Sequence, residues 1–93
     1  MADAPYRAAP AEALRIEALG ELTAIFDRRS MQTHLVVAPM PELLAMMGET
    51  PCTAATLAAR LAERFDLEGE GDAVAIVAER LAELAALGLV ARA

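Results

Sequence analysis

The chain has no lysine and no tryptophan, and it has a single cysteine, a single histidine and a single serine. One cysteine, Cys52, excludes an internal disulfide and any cysteine-rich zinc site. With three aromatic residues, Tyr6, Phe26 and Phe65, the core has to be built from Leu, Ile, Val and Met. No stretch approaches the roughly 18 uninterrupted apolar residues of a membrane span. The start, MADAPYRAAP, has no apolar run of the signal-peptide kind. These absences together point to a soluble, cytoplasmic protein. A positive surface is missing too. The net charge is −6, and the eight basic residues are all arginines spread along the chain, with only Arg28 and Arg29 adjacent. An acidic domain without gathered arginines is repelled by a phosphate backbone, so neither nucleic acid nor an anionic membrane is expected as a partner.

What is present is a short chain rich in small apolar residues. Its 93 residues make one domain, and 57% of them are hydrophobic, many being alanine, which buries little area each. Stability gained from a partner or from homodimer formation is compatible with that composition. Residues 1–11, with two prolines among alanines, read as a flexible N-terminal arm preceding a domain over 12–93.

Three strands follow. Leu14, Ile16 and Ala18 alternate with Arg15 and Glu17 as in a half-buried strand, and Gly20 supplies a turn. A second strand over 21–27 sets Leu22, Ala24 and Phe26 on one face, with Thr23 and Ile25 on the other. Asp27-Arg28-Arg29-Ser30 has turn chemistry. The third strand, 32–38, places Leu35 and Val37 opposite His34 and Val36 and is stopped by Pro39 and Pro41.

Three helices are predicted next. Pro41 suits the first turn of one that carries Leu43, Leu44 and Met47 and ends at Gly48. Thr53 is an N-cap for a second, with Leu57, Leu61 and Phe65 as its buried edge. An acidic loop over 66–71 leads to a third, capped by Asp72, running to Leu87 and closed by Gly88, with Leu89 and Val90 packing back. This last helix is apolar over an unusual width. Val74, Val77, Leu81 and Leu84 form its core stripe, while Ala73, Ile76, Arg80 and Leu87 form a second ridge. That ridge either lines a groove or meets a neighbouring helix, and pattern alone favours packing.

No catalytic constellation emerges. Asp27, Ser30 and His34 are close in sequence, but a tight turn does not converge them on a substrate, and nothing supplies an oxyanion hole. The simpler reading has Asp27 and Ser30 bonding turn backbone and His34 on a strand face. Cys52 at a helix entry has no accompanying base, so a half-buried structural thiol is expected. The carboxylates Asp66, Glu68, Glu70 and Asp72 begin like a calcium loop, but the twelfth position is Val77 rather than glutamate. Ser30 lies in a hairpin, not at the helix start an acyl carrier needs, and no glycine-rich phosphate loop is present. No catalytic residue, metal or cofactor is therefore expected.

Two binding modes remain. Helices 53–65 and 72–87 with a small sheet outline a winged helix-turn-helix, but the second helix offers a DNA backbone only Arg80, against Asp72, Glu79 and Glu83. A peptide adding to the sheet edge beside that helix fits better. The residues Ser30-Met31-Gln32-Thr33-His34-Leu35 leading into the third strand, in a chain of three strands then three helices, resemble the PqqD-like family. More narrowly, they resemble the PqqD-family peptide chaperones of HPr-kinase-related systems. The family hairpin reads Ser-Gly-Gln-Thr-His, so Ser30, Gln32, Thr33 and His34 match, and Met31 stands in place of the glycine.

The resemblance covers about residues 12–92 and implies an α+β fold, a truncated winged helix-turn-helix acting as a RiPP recognition element. Its implied role is non-catalytic: to bind the leader of a precursor or client peptide by strand addition and present it to a modifying enzyme or an HPr-kinase-related protein. The peptide site it implies comprises Thr33, His34, Leu35, Val36 and Val37 on the strand, with Ala73, Ile76, Val77, Arg80, Leu84 and Leu87 on the last helix. Arg80 would then pair with an acidic leader side chain.

Overall fold

The computed structural model describes residues 4–64 and 70–93. Phe65, expected on the buried edge of the second helix, and Asp66 and Glu68 of the expected acidic loop lie outside them. In chain order the elements are β1 (Tyr6–Ala8), a short 3-10 turn (Ala11–Ala13), β2 (Leu14–Leu19), β3 (Leu22–Asp27), β4 (Gln32–Val36), α1 (Met40–Met47), α2 (Ala54–Arg64), α3 (Glu70–Ala86) and β5 (Val90–Arg92). The fold is mixed α+β, with a three-stranded antiparallel sheet, β2-β3-β4, followed by three helices.

The N-terminal segment departs from the flexible arm expected over 1–11. Tyr6, Arg7 and Ala8 pair antiparallel with Arg92, Ala91 and Val90. On its other side Tyr6 exchanges two backbone hydrogen bonds with Cys52, each 2.8 Å. The backbone of 6–8 is extended, and the Tyr6 ring packs on the core. Local composition missed this because the pairing partner lies more than 80 residues away.

The sheet register, Ile16↔Ile25↔His34 and Ala18↔Thr23↔Val36, assigns Leu14, Ile16, Ile25, Asp27, His34 and Val36 to one face. The helices cover that face over β3 and β4, where Ile25 is fully buried and Val36 nearly so. They do not reach across β2. Ile16, expected on a half-buried face, is 51% exposed, and Ala18 is exposed as well. The opposite face leaves Leu19, Leu22 and Leu35 exposed, with Ala24 and Phe26 half-buried among them and Arg15, Glu17 and Thr33 beside them.

The turn from β3 to β4 has a backbone at position 31 that suits the glycine of the resembled motif better than Met31. Met31 N–H donates to Asp27 O at 2.7 Å, and Met31 has φ +62°, the left-handed region where glycine is favoured. Its side chain is 72% exposed and contributes little packing. Met31→Gly is therefore expected to raise stability by about 0.5–1 kcal/mol, the left-handed penalty less the extra freedom glycine gives the unfolded chain. Urea unfolding would check it, and a destabilised variant would refute it.

β4 ends at Val36, two residues short of the expected 38. Val37 O instead accepts from Met40 N–H at 3.0 Å, turning the chain into α1. The Ala38–Pro39 peptide in this turn is cis. The helix caps follow the sequence closely. Pro41 lies in the first turn of α1, and Gly48 follows that helix with φ +59°. Thr53 Oγ1 accepts from Thr56 N–H at 3.1 Å, an N-cap that satisfies one of the orphan donors of α2. Gly88, at φ +80°, closes α3: its N–H donates to Ala85 O, and Leu89 N–H donates to Leu84 O, the paired bonds of a Schellman cap. α3 begins at Glu70, so position 72 lies within its first turn and not at the expected cap.

The core joins the inner sheet face to all three helices through Ile25, Met40, Leu43, Met47, Leu57, Leu81, Leu84 and Leu89. Val77, Leu81 and Leu84 form the buried stripe of α3 as expected, whereas Val74, expected with them, is 37% exposed.

Candidate functional site

β4 is an outer strand of its sheet, and no described strand pairs with its free edge. Beside it lies a groove of about 430 Å³. Leu35, Val36 and Val37 form the strand wall, Met40 comes from the start of α1, and Glu83, Ala86 and Leu87 form the wall from the C-terminal end of α3. Glu83 is the one charged residue of this lining. An extended backbone laid along β4 would satisfy the edge donors and acceptors while its alternate side chains met an apolar trough.

Four of the residues expected from the resemblance, Leu35, Val36, Val37 and Leu87, line this groove. Thr33 is exposed on the outer sheet face, and His34 is half-buried on the inner one, its Nε2 buried without a hydrogen-bond partner. Val77 and Leu84 are 1% and 0% exposed and belong to the core, so a bound peptide cannot touch them directly; this corrects their place in the expected site. Ala73 is half-buried against the core. Ile76 is 50% exposed but lies seven residues before Glu83, about 10 Å along the helix axis. It therefore meets only a peptide that runs past the groove.

Met40, Glu83 and Ala86 were missed. Glu83 was accessible in principle, since it continues the ridge of Ile76, Arg80 and Leu87 at helical spacing. Met40 was hidden behind Pro39, where the strand was expected to end.

Arg80 is already engaged. Its Nη2 stands 3.2 Å from Glu79 Oε1 and 3.4 Å from Glu83 Oε2, so both ion pairs are made within its own helix. The expected pairing of Arg80 with an acidic client competes with these two neighbours.

The β3–β4 hairpin is locked to α3 by a different arginine. Arg29 donates from Nε to Asp27 Oδ1 at 3.0 Å and from Nη2 to Asp27 Oδ2 at 2.9 Å, and Nη2 also reaches Gly88 O at 2.9 Å. Arg29 N–H adds a bond to Asp27 Oδ1 at 2.9 Å, the turn-backbone role anticipated for this carboxylate. Asp27 is thus committed to Arg29, Ser30 is exposed, and His34 stands on the inner face of β4.

The Arg29 side-chain hydrogen bonds hold the Asp27 carboxyl down from 3.8 to about 2, with burial opposing them. Because the folded value lies below the unfolded one, the stabilisation is complete above pH 3.8 and is lost as pH falls toward 2. Asp27→Asn is expected to flatten the pH dependence of unfolding in that window, measured by urea melts at successive pH values. Parallel profiles for the two proteins would refute the linkage.

Cys52 is more deeply placed than expected, at 3% exposure. Its Sγ lies 3.4 Å from Thr50 O and accepts from Arg60 Nη1 at 3.6 Å. A second cavity, of about 640 Å³, lies between the segment after β1, the inner face of β2 and α1. Ala8, Pro10, Leu14, Ile16 and Leu44 line it, and Arg7 at its rim donates to Glu49 O at 3.1 Å. Among the described residues, no three His, Cys, Asp or Glu side chains come together as a metal-ligand set, and no helix is long and apolar enough to cross a membrane.

The chain matches no protein-family model, and neither a curated protein nor a solved structure shows significant similarity to it.

Proposed function

We propose that this protein is a non-catalytic peptide chaperone of the PqqD-like kind, a truncated winged helix-turn-helix working in the cytoplasm. It binds the leader segment of a precursor peptide by strand addition to β4 and presents it to a modifying enzyme or an HPr-kinase-related protein. The observation that carries this reading is the unpaired edge of β4 beside an apolar groove walled by the end of α3. Backbone pairing along the edge supplies affinity for any extended chain, and the groove selects among side chains. A DNA-reading role finds no such support, because Arg80, on the helix that would enter the major groove, is tied to Glu79 and Glu83.

Titrating isotope-labelled protein with the client leader should shift the amides of Gln32–Val36 and of residues 83–87. Leu35→Asp, at a position 60% exposed, should weaken binding about tenfold or more while leaving the fold intact, since it places a carboxylate on the strand against which the peptide backbone would lie. Shifts confined to other surfaces, or unchanged affinity in a folded Leu35→Asp protein, would reject the site.

A further inference from the structure

The charges around the groove specify the chemistry of its occupant. We propose that the β4–α3 groove selects an extended peptide in which apolar residues alternate with at least one lysine or arginine. This rests on the strand-addition reading above and reverses the expectation of an acidic leader.

The helix wall carries the argument. Two carboxylates, Glu79 and Glu83, share the single guanidinium of Arg80, so the cluster retains one negative charge. The Glu83 side chain is 51% exposed and stands in the groove lining itself, beside Ala86 and Leu87. The groove is walled by the C-terminal end of α3, where the helix dipole is negative, and the last turn of that helix has no basic residue. Arg29, which reaches Gly88 O just past α3, is neutralised by its bidentate pairing with Asp27. A chain of net charge −6 adds long-range attraction for a cation.

The spacing also suits such a peptide. Side chains two residues apart on one face of a strand are about 6.7 Å apart, and the four residues from Glu83 to Leu87 rise about 6 Å along the axis of α3. An apolar side chain against Ala86 and Leu87 therefore places the next side chain on that face within reach of Glu83. An acidic side chain there would meet a like charge, which also disfavours a second copy of this chain adding edge to edge, since each copy would bring its own Glu83.

The test is selection of a displayed library of random ten-residue peptides on the immobilised full chain. Enriched peptides are expected to alternate apolar residues and to carry Lys or Arg well above the library background. For a synthetic winner, Glu83→Gln should raise Kd about two- to fivefold, the range of an exposed ion pair. Replacing the peptide's cation by glutamine should do the same, and combining the two changes should add nothing further. Circular dichroism establishes that Glu83→Gln is folded. Winners that are acidic or unbiased in charge, yet shift the amides of Gln32–Val36, would overturn the charge preference and leave strand addition standing. Failure of any peptide to enrich, or winners that leave those amides unmoved, would overturn the site and the charge preference together.

Discussion

Removing residues 1–9 is expected to cost this protein about 3 kcal/mol of unfolding free energy, a large part of the 5–15 kcal/mol typical of a domain. The loss has two sources. Tyr6 exchanges paired backbone bonds with Cys52, Ala9 N–H donates to Leu89 O at 2.9 Å, and Pro5 O accepts from Ala93 N–H at 3.0 Å. Each such bond contributes a net 0.5–1.5 kcal/mol or so, and a buried partner left unsatisfied costs more. Deletion also removes the half-buried Tyr6 and Ala8 from the core they pack against, which includes Cys52, Leu89 and Val90. A urea or thermal melt of the shortened chain gives the answer. A midpoint within error of the full chain would mean that the segment is the loose arm its composition first implies.

The second large effect separates core from groove on α3. Leu84→Ala should destabilise by about 2–5 kcal/mol, because a fully buried leucine leaves both a lost transfer energy and a cavity between the sheet and the helices. Ala86→Ser, just over half a turn away and exposed in the groove, should leave stability within about 0.5 kcal/mol of the parent. Chemical denaturation of the two variants side by side would check both. A Leu84→Ala protein as stable as Ala86→Ser would contradict the placement of Leu84 in the core, and with it the division of α3 into a buried stripe and a groove wall.

That division shows how far the sequence could be read. The three sheet strands, the caps at Thr53 and Gly88 and the core role of Val77, Leu81 and Leu84 all follow from period and capping chemistry, which are local. The apolar ridge beside that stripe was visible as well, but its use was not. Pattern shows that a residue is apolar, not whether another element covers it. Ile16 and Val74 have the spacing of core residues, yet among the described residues nothing buries them, and they are 51% and 37% exposed. Tyr6–Ala8 lacks any strand periodicity, since three residues between prolines are too few to show one, and only Val90–Arg92 at the far end of the chain makes them a strand. The opposed charges of Arg80 and its two glutamates were on view, yet only the helix geometry places both carboxylates within 3.4 Å of the guanidinium.

The open edge of β4 has a consequence for the protein when it is alone. An edge strand without lysine, proline or a bulge, open on one side among the described residues, is a template for self-assembly, and here it adjoins a sheet face bearing exposed Leu19, Leu22 and Leu35. Mutual repulsion from a net charge of −6 is what keeps such copies apart at neutral pH. Near pH 4.6, where that charge vanishes, self-association through this edge is expected, and a peptide held there in the way we propose would block it.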